Sequence, residues 1–215
     1  MAKVRQRKIT KLAEIRVLKR EDITADLLVT WFEKPEGFTF KPGQYCTIGR
    51  DGIERAYSIV SAPHEEDLEL FFELVPLPEG VLTPKIWELA PGDTVSIRPR
   101  AKGLFTFKPG LPNQLMVSTV TGVVPYVSYI RDYLHNGQEG HHFYVLQGAS
   151  YWDEFTYDKE LAALAGERPE QGVEAVHDES CGEAQARRLR RYAAAPAPAE
   201  RASRPSSASS PNGCS

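Results

Sequence analysis

The chain has 215 residues, of which 41% are hydrophobic and 26% charged, and its formal net charge is −3. This length is enough for one large domain or two small ones, and the balanced charge favours neither nucleic acid nor a membrane surface as a partner. The basic N-terminal residues are not followed by an apolar run, so we predict no signal peptide and no membrane span, and we expect a cytoplasmic protein.

The first hundred residues alternate short apolar segments with turn residues, which is typical of an all-β domain. The predicted strands are rich in β-branched, leucine and aromatic residues and span 9–18, 27–32, 44–48, 54–60, 68–75 and 94–98. Six strands at this spacing predict a small antiparallel barrel or sandwich. One helix is predicted over 83–89, with Thr83 as its N-cap and Pro84 at its first position.

After Gly110 the pattern changes to alternating strands and helices. We predict a strand over 114–119, a helix over 125–135, a second strand over 142–148 and a second helix over 157–165. A strand, a helix and a further strand form a βαβ unit with parallel strands. The sequence therefore predicts a β-barrel over 1–109 and the beginning of an α/β domain over 110–166.

The α/β domain is predicted to be incomplete, because no convincing apolar strand follows Gly166. Residues 193–212 include seven Ala, five Ser and four Pro, a composition that cannot form a packed core. We therefore predict a disordered tail over 167–215. The cluster Arg187–Arg191 is interpreted as a solvated charge run rather than a nucleic-acid contact.

The cysteines indicate no metal site and no disulfide framework. Cys46, Cys181 and Cys214 lie far apart, and none belongs to a Cys-x-x-Cys pair. Cys46 falls within a predicted strand, so we expect a buried core thiol there and no bound metal.

The stretch Arg55-Ala56-Tyr57-Ser58 is the first candidate binding site. In a strand, Arg55 and Tyr57 point to the same face. A guanidinium group binds phosphate oxygens and a phenol ring offers a stacking surface, so the pair suits a ligand with both a phosphate and a flat ring. The competing interpretation is an edge strand with a half-buried tyrosine and an arginine that extends to solvent.

Residues 40–157 carry five short motifs whose order resembles that of the ferredoxin–NADP(H) reductase family. They are Phe40-Lys41-Pro42-Gly43-Gln44-Tyr45, Arg55-Ala56-Tyr57-Ser58, Glu79-Gly80-Val81-Leu82-Thr83, Thr121-Gly122-Val123-Val124-Pro125, and Gly148-Ala149-Ser150 with Glu154 and Tyr157. The resemblance implies an antiparallel FAD-binding β-barrel followed by an NAD(P)-binding α/β domain. It covers more than half of the chain.

The resemblance also implies how FAD would be bound. Arg55 would pair with the pyrophosphate, and backbone N–H groups at the start of the predicted helix would bind the same anion. The residues implied there are Gly80, Val81, Leu82 and Thr83. The alternative is a helix capped by Thr83 with no ligand.

Tyr57 and Ser58 are the residues implied to act closest to the chemistry. Tyr57 would stack on the isoalloxazine ring, Ser58 would hydrogen-bond near flavin N5, and Ala56 lies between them in the motif. Strand alternation places the Tyr57 and Ser58 side chains on opposite faces, so the strand must twist or break there if both are to reach the ring.

Thr121 and Gly122 are implied to bind NADP(H) or NAD(H) between a strand and a helix. The family usually has a glycine where this chain has Val120, and a β-branched residue does not easily adopt the positive φ that glycine allows. Just after Ser150, where the family often has an arginine for the 2'-phosphate of NADP, the chain has Tyr151 and Trp152. These two residues are equally consistent with surface aromatics.

The function implied is that of an FAD-dependent oxidoreductase, which moves electrons between NAD(P)H and ferredoxin or flavodoxin. His64, His141 and His142 are expected to be loop residues rather than general bases. Two alternatives stay open: a truncated flavin-binding fragment without turnover and, more weakly, a barrel that binds single-stranded nucleic acid. Beyond Ala165 no family feature is recognised, which suggests a different reading frame or an unrelated extension.

Overall fold

The computed structural model describes residues 12–167 and 173–179. Its first sheet has six antiparallel strands in the order β4-β3-β6-β1-β2-β5. Their bounds are β1 Ala13–Asp22, β2 Leu27–Glu33, β3 Tyr45–Arg50, β4 Ile53–Ser58, β5 Asp67–Glu73 and β6 Thr94–Ile97. An isolated bridge between Ile59 and Leu70 connects the chain after β4 to β5. The sheet therefore nearly closes on itself, and the predicted barrel is confirmed.

The barrel interior is filled by side chains from all six strands. Phe32, Cys46, Ile48, Leu70 and Phe72 are fully buried there, as period-two alternation requires of strands that surround a core. The expected burial of Cys46 is confirmed, and burial raises the pKa of its thiol to about 12.

The helix after the barrel's fifth strand begins earlier than predicted. Helix α1 spans Leu82–Trp87 and its N-cap is Val81, so the prediction that Thr83 caps it is wrong. The Thr83 hydroxyl accepts a hydrogen bond from the Val75 N–H and donates one to the Val75 carbonyl oxygen, both at 3.0 Å. Thr83 therefore joins the helix to the end of the β5 segment instead of capping the helix.

A parallel sheet follows, in the order β7-β8-β9. Its elements are β7 Asn113–Thr119, α2 Val124–His135, β8 His142–Ala149, α3 Asp158–Glu167 and β9 Val173–Glu179. The predicted βαβ unit is confirmed, with Pro125 in the first turn of α2. His142 begins β8 and does not lie in a loop as expected.

Strand β9 corrects the prediction that no strand follows Gly166. Its seven residues pair in parallel with β8, but Glu, His and Asp interrupt its apolar residues. It lacks the continuous apolar run of a buried parallel strand, so pattern alone missed it. The remainder of the predicted tail lies outside the described residues.

The barrel and the parallel sheet share a second apolar core. Val29 and Phe71 on the outside of the barrel belong to the same cluster as Val127, Ile130 and Leu161 from helices α2 and α3. Because the strands follow one another in order and parallel crossovers are right-handed, both helices lie on the same face of the sheet. On β7, Leu115 and Val117 remain 56% and 54% exposed.

Arg131 of α2 links the barrel to both helices. Its guanidinium donates to the Glu69 carboxylate on β5 at 2.6 Å and to both Glu160 oxygens on α3 at 2.7 and 2.8 Å. The Tyr157 hydroxyl donates to the other Glu69 oxygen at 2.8 Å. Burial raises the pKa of Glu69 despite the nearby Arg131 charge. The helices are thus held to the barrel by partly buried polar contacts as well as by apolar packing.

No helix within the described part of the chain is both long enough and apolar enough to cross a membrane.

Candidate cofactor site

One cavity of about 330 Å³ brings together residues from separate parts of the chain. Of the residues predicted to bind a cofactor, all but Ser58 and Gly122 line this cavity. The predicted residues that do so are Arg55, Ala56, Tyr57, Gly80, Val81, Leu82, Thr83 and Thr121. Strand β4, the start of α1 and the turn after β7 therefore meet at one site.

Arg55 is exposed on β4 and has room to bind a ligand. Its Nη1 donates to the neighbouring Glu54 carbonyl oxygen at 2.8 Å. The Glu54 carboxylate pairs with Arg98 instead, at 2.6 Å. The other Arg55 N–H groups therefore remain available to an anion in the cavity.

Tyr57 is positioned by the barrel core. Its ring packs edge-to-face on Phe72, with ring centroids 4.7 Å apart and an interplanar angle of 67°. Burial raises the Tyr57 pKa to about 12, so its hydroxyl stays neutral at physiological pH. A fixed neutral ring at the cavity wall is suited to stack on a planar ligand.

Ser58 is the last residue of β4, and its Cα partner is Tyr45 on β3. It is not among the residues that line the cavity. Strand alternation alone does not explain this, because Ala56, on the same face as Ser58, does line the cavity. Its role near the flavin stays a prediction.

The start of α1 offers backbone donors. No side chain caps this helix, so its first N–H groups have no intrahelical partner. Gly80 precedes these N–H groups. A Cβ at this position would overlap the Val75 carbonyl oxygen, so only glycine fits. Unpaired N–H groups beside Arg55 are suited to an anion.

The turn after β7 places Thr121 in the same cavity. Residues Val120–Val123 form a 3-10 turn, and Val120 has a φ of +38°. A β-branched residue is strained at positive φ, and valine stands here at the position where the motif resemblance implied glycine. Gly122 is exposed, and a Cβ there would lie 3.3 Å from the Ser118 Cβ.

The segment after β8 is organised by Glu154. Its Oε2 accepts from the N–H groups of Ser150 at 2.7 Å and Tyr151 at 3.1 Å. Tyr151 and Trp152 are 71% and 58% exposed, so they are surface aromatics in this structure.

Sequence reasoning missed three residues of the cavity wall, namely Phe71, Glu73 and Val75, and it gave no role to Glu79, the first residue of the third motif. The sequence signal for Phe71 was weak, because the outward face of β5 is otherwise acidic: Leu70 and Phe72 fill the barrel, while Phe71 is the one apolar residue on the other face. Phe71 packs edge-to-face on Tyr157, with centroids 5.8 Å apart, so only the tertiary structure shows that this face is covered.

The residues present fit FAD in chemistry. An arginine and uncapped helix N–H groups match a pyrophosphate, and Tyr57 matches a flat ring. Glu73 and Glu79 add negative charge to the rim and oppose these contacts. His64, His141 and His142 do not line the cavity. Within 12–167 and 173–179, no three His, Cys, Asp or Glu residues are grouped to hold a metal ion.

Comparison with known sequences shows similarity to ferredoxin–NADP reductases, as the motifs predicted. The flavodoxin/ferredoxin–NADP reductase of Buchnera aphidicola is 33% identical over 132 residues, which cover 58% of this chain and 52% of that protein. Ferredoxin–NADP reductase A of Sorangium cellulosum is 34% identical over 123 residues, or 54% and 43% of the two chains. The chain thus spans about half the length of these relatives. No family model matches it.

Solved structures show the same fold. A ferredoxin–NADP+ reductase from Neisseria gonorrhoeae with bound FAD and NADP superimposes with a TM-score of 0.68 at 24% identity, over 80% of this chain and 71% of that one. The cytochrome P450 reductase of Amycolatopsis gives a TM-score of 0.64 at 26% identity, over 77% and 51%. The predicted fold, a barrel followed by a partial α/β region, is confirmed.

Proposed function

We propose that this chain binds FAD in the cavity between β4, α1 and the turn after β7, and that it acts as an oxidoreductase between NAD(P)H and ferredoxin or flavodoxin. The similarity to ferredoxin–NADP reductases supports the reaction class. The observation that carries the proposal is the meeting of Arg55, Tyr57, the start of α1 and Thr121 at one cavity. Bound flavin would supply the hydride-accepting N5 and the one-electron chemistry.

The protein's own part in this function is to bind and orient. Arg55 and the backbone N–H groups of Val81, Leu82 and Thr83 would hold the pyrophosphate, and Tyr57 would fix the plane of the ring. Ser58 is proposed to act near N5, and Thr121 with Gly122 to receive the nucleotide. A cytoplasmic location and a domain boundary near residue 110 belong to the proposal as well.

Flavin binding is tested by purification and titration. We expect a yellow protein, and Arg55→Ala should weaken FAD binding about tenfold because it removes a charge-assisted contact. Arg98→Ala is the matched control, since Arg98 pairs with Glu54 and does not line the cavity. A colourless protein that takes up no added FAD would refute the proposal.

A second candidate is a flavin-binding fragment without turnover. It is favoured by the open face of β7, where Leu115 and Val117 stay exposed. Anaerobic addition of NADPH or NADH distinguishes the two. Bleaching of the flavin within seconds supports the reductase, and an oxidised spectrum that persists for hours supports the fragment.

A further inference from the structure

Gln147 is a buried amide in an otherwise apolar core. It lies on β8, is 1% exposed, and shares a face of the strand with Phe143 and Val145, which belong to the core between the parallel sheet and its helices. Its Oε1 is buried and has no hydrogen-bond partner within the described part of the chain. A buried amide that is not fully bonded destabilises a folded protein, whereas an apolar side chain of similar length would not. Such a residue indicates a function rather than a role in packing.

A second buried polar group lies beside Gln147. Ser118 on β7 is its register partner, so the two side chains share a face of the sheet. The Ser118 Oγ is also buried and has no hydrogen-bond partner within 12–167 and 173–179. A Cβ on Gly122 would lie 3.3 Å from the Ser118 Cβ, so the turn Val120–Val123 passes over this pair. Two under-bonded polar side chains therefore lie against the turn that is proposed to receive the nucleotide.

The amide of Gln147 reaches this turn at one backbone group. Its Nε2 donates to the Val120 carbonyl oxygen over 3.5 Å, which is long for a hydrogen bond. The Val120 C=O and the Thr121 N–H belong to one planar, trans peptide bond, so they point in opposite directions. Because the carbonyl points toward buried Gln147, the N–H points away from it. Thr121 lines the cavity of the cofactor site, so its N–H is presented on the ligand side of the turn.

Resting on the proposed function, we infer that Gln147, supported by Ser118, is a positioning residue for the dinucleotide: it holds the Val120 carbonyl and thereby aims the Thr121 N–H at a phosphate. Val120 is strained at its positive φ, so an external contact is needed to keep this peptide in one orientation. A phosphate that accepts from the N–H polarises the same peptide and makes its carbonyl a better acceptor, so each hydrogen bond strengthens the other. The Ser118 hydroxyl would donate to the Gln147 Oε1 and fix the amide toward Val120.

The decisive variant is Gln147→Met, which keeps a long unbranched side chain and removes both polar atoms. Calorimetric titration of the FAD-loaded chain with NADP+ and with NAD+ should show that the preferred nucleotide binds about tenfold more weakly. The affinity for FAD should change by less than about twofold, because Gln147 does not line the cavity. The midpoint of thermal unfolding should stay the same or rise, since the variant removes an under-bonded buried amide.

Two serines give a matched comparison. Ser118→Ala should weaken nucleotide binding about threefold and leave the unfolding midpoint unchanged or higher, because its hydroxyl has no partner to lose. Ser128→Ala is the control, since the Ser128 hydroxyl is also buried but donates to the Ser61 carbonyl oxygen at 2.8 Å. The control should lower the midpoint by about 3 °C and leave nucleotide affinity unchanged.

The side-chain amide of Gln147 also gives a spectroscopic signal. Its two N–H resonances are identified as those that Gln147→Met lacks in a nitrogen–proton correlation spectrum. We expect both to shift when the preferred nucleotide is added to the FAD-loaded chain. Because Gln147 is 1% exposed, such a shift reports the turn above it rather than direct contact with the nucleotide.

The outcomes separate this inference from the proposed function. Unchanged nucleotide affinity in Gln147→Met overturns the inference and leaves the proposed function intact. Weaker binding together with a lower unfolding midpoint in both Gln147→Met and Ser118→Ala also overturns it, because that pattern reports lost structure. Binding of FAD but of neither nucleotide by the unaltered chain overturns the nucleotide part of the proposed function together with the inference. If Gln147→Met does not fold, Ser118→Ala decides against its Ser128→Ala control.

Discussion

The barrel and the parallel sheet differ in how completely their strands are covered. The barrel nearly closes on itself through the Ile59–Leu70 bridge and buries its interior fully. The three described strands of the parallel sheet carry both helices on one face, and Leu115 and Val117 stay exposed on the edge strand β7. The barrel therefore supplies a rigid support for cofactor residues, whereas the parallel sheet depends on its contacts with the barrel.

The difference in coverage between the barrel and the parallel sheet can be tested most strongly with two leucines, Leu70 on β5 and Leu115 on β7. Leu70 on β5 is fully buried, and Leu70→Ala should lower the free energy of unfolding by about 4 kcal/mol through lost burial and the cavity left behind. Leu115→Ala on the open face of β7 should change it by about 0.5 kcal/mol or less. Urea unfolding of both variants measures the difference. A large effect of Leu115→Ala would show that its face is covered in solution.

The link between the two regions can be broken at Arg131. Its side chain is 17% exposed, and Arg131→Ala leaves Glu69 buried without its cation, so we expect a loss of about 3 kcal/mol. Arg98→Ala is the control because the Arg98–Glu54 pair has the same 2.6 Å distance but is more exposed. That variant should lose about 1 kcal/mol or less. If the two variants lose the same free energy of unfolding, burial does not make the Arg131 pair stronger than the Arg98 pair, and this account is contradicted.

The strained turn of the parallel sheet can be relaxed by Val120→Gly. Removing a β-branched side chain at a φ of +38° should raise the free energy of unfolding by about 1 kcal/mol. It should also tighten nucleotide binding about threefold, because glycine allows the backbone to approach a phosphate. Val124→Gly, at a φ of −47°, should instead destabilise the protein. Unchanged or weaker nucleotide affinity in Val120→Gly argues against this account of the turn.

The smallest expected effect is the pH dependence from Tyr57 in the barrel. Its pKa is about 12 in the folded chain and about 10 in an unfolded chain, so the unfolded state loses the proton first as pH rises. Its stabilising contribution is thus complete below pH 10 and is lost as pH rises toward 12. Denaturation midpoints across this window should fall less steeply in Tyr57→Phe than in the unaltered chain.

Much of the fold could be predicted because its patterns are local. The six barrel strands, α2 with its early proline, and strands β7 and β8 all occur near their predicted positions. Strand β9 was not predictable, because its polar residues mask the apolar pattern and only pairing with β8 makes it a strand. The start of α1 was misplaced because Thr83, a preferred capping residue, has its hydroxyl bonded to Val75, which precedes it by eight residues.

By itself, the sequence determined which residues are suited to bind a ligand and the order of their motifs along the chain. Strand periodicity, turn residues and short motifs are properties of neighbouring positions, so they can be recognised without the fold. The motif resemblance implied that Arg55 and Gly80 serve the same anion, but the sequence could not determine that Thr121 lines their cavity, or that Arg131 joins β5 to α3. These contacts connect residues far apart in the chain, and they exist only because barrel closure and the packing of α2 and α3 bring distant segments together. The tertiary structure also decides the positive φ of Val120. The path of the chain from β7 into α2 imposes a backbone angle that valine alone would avoid.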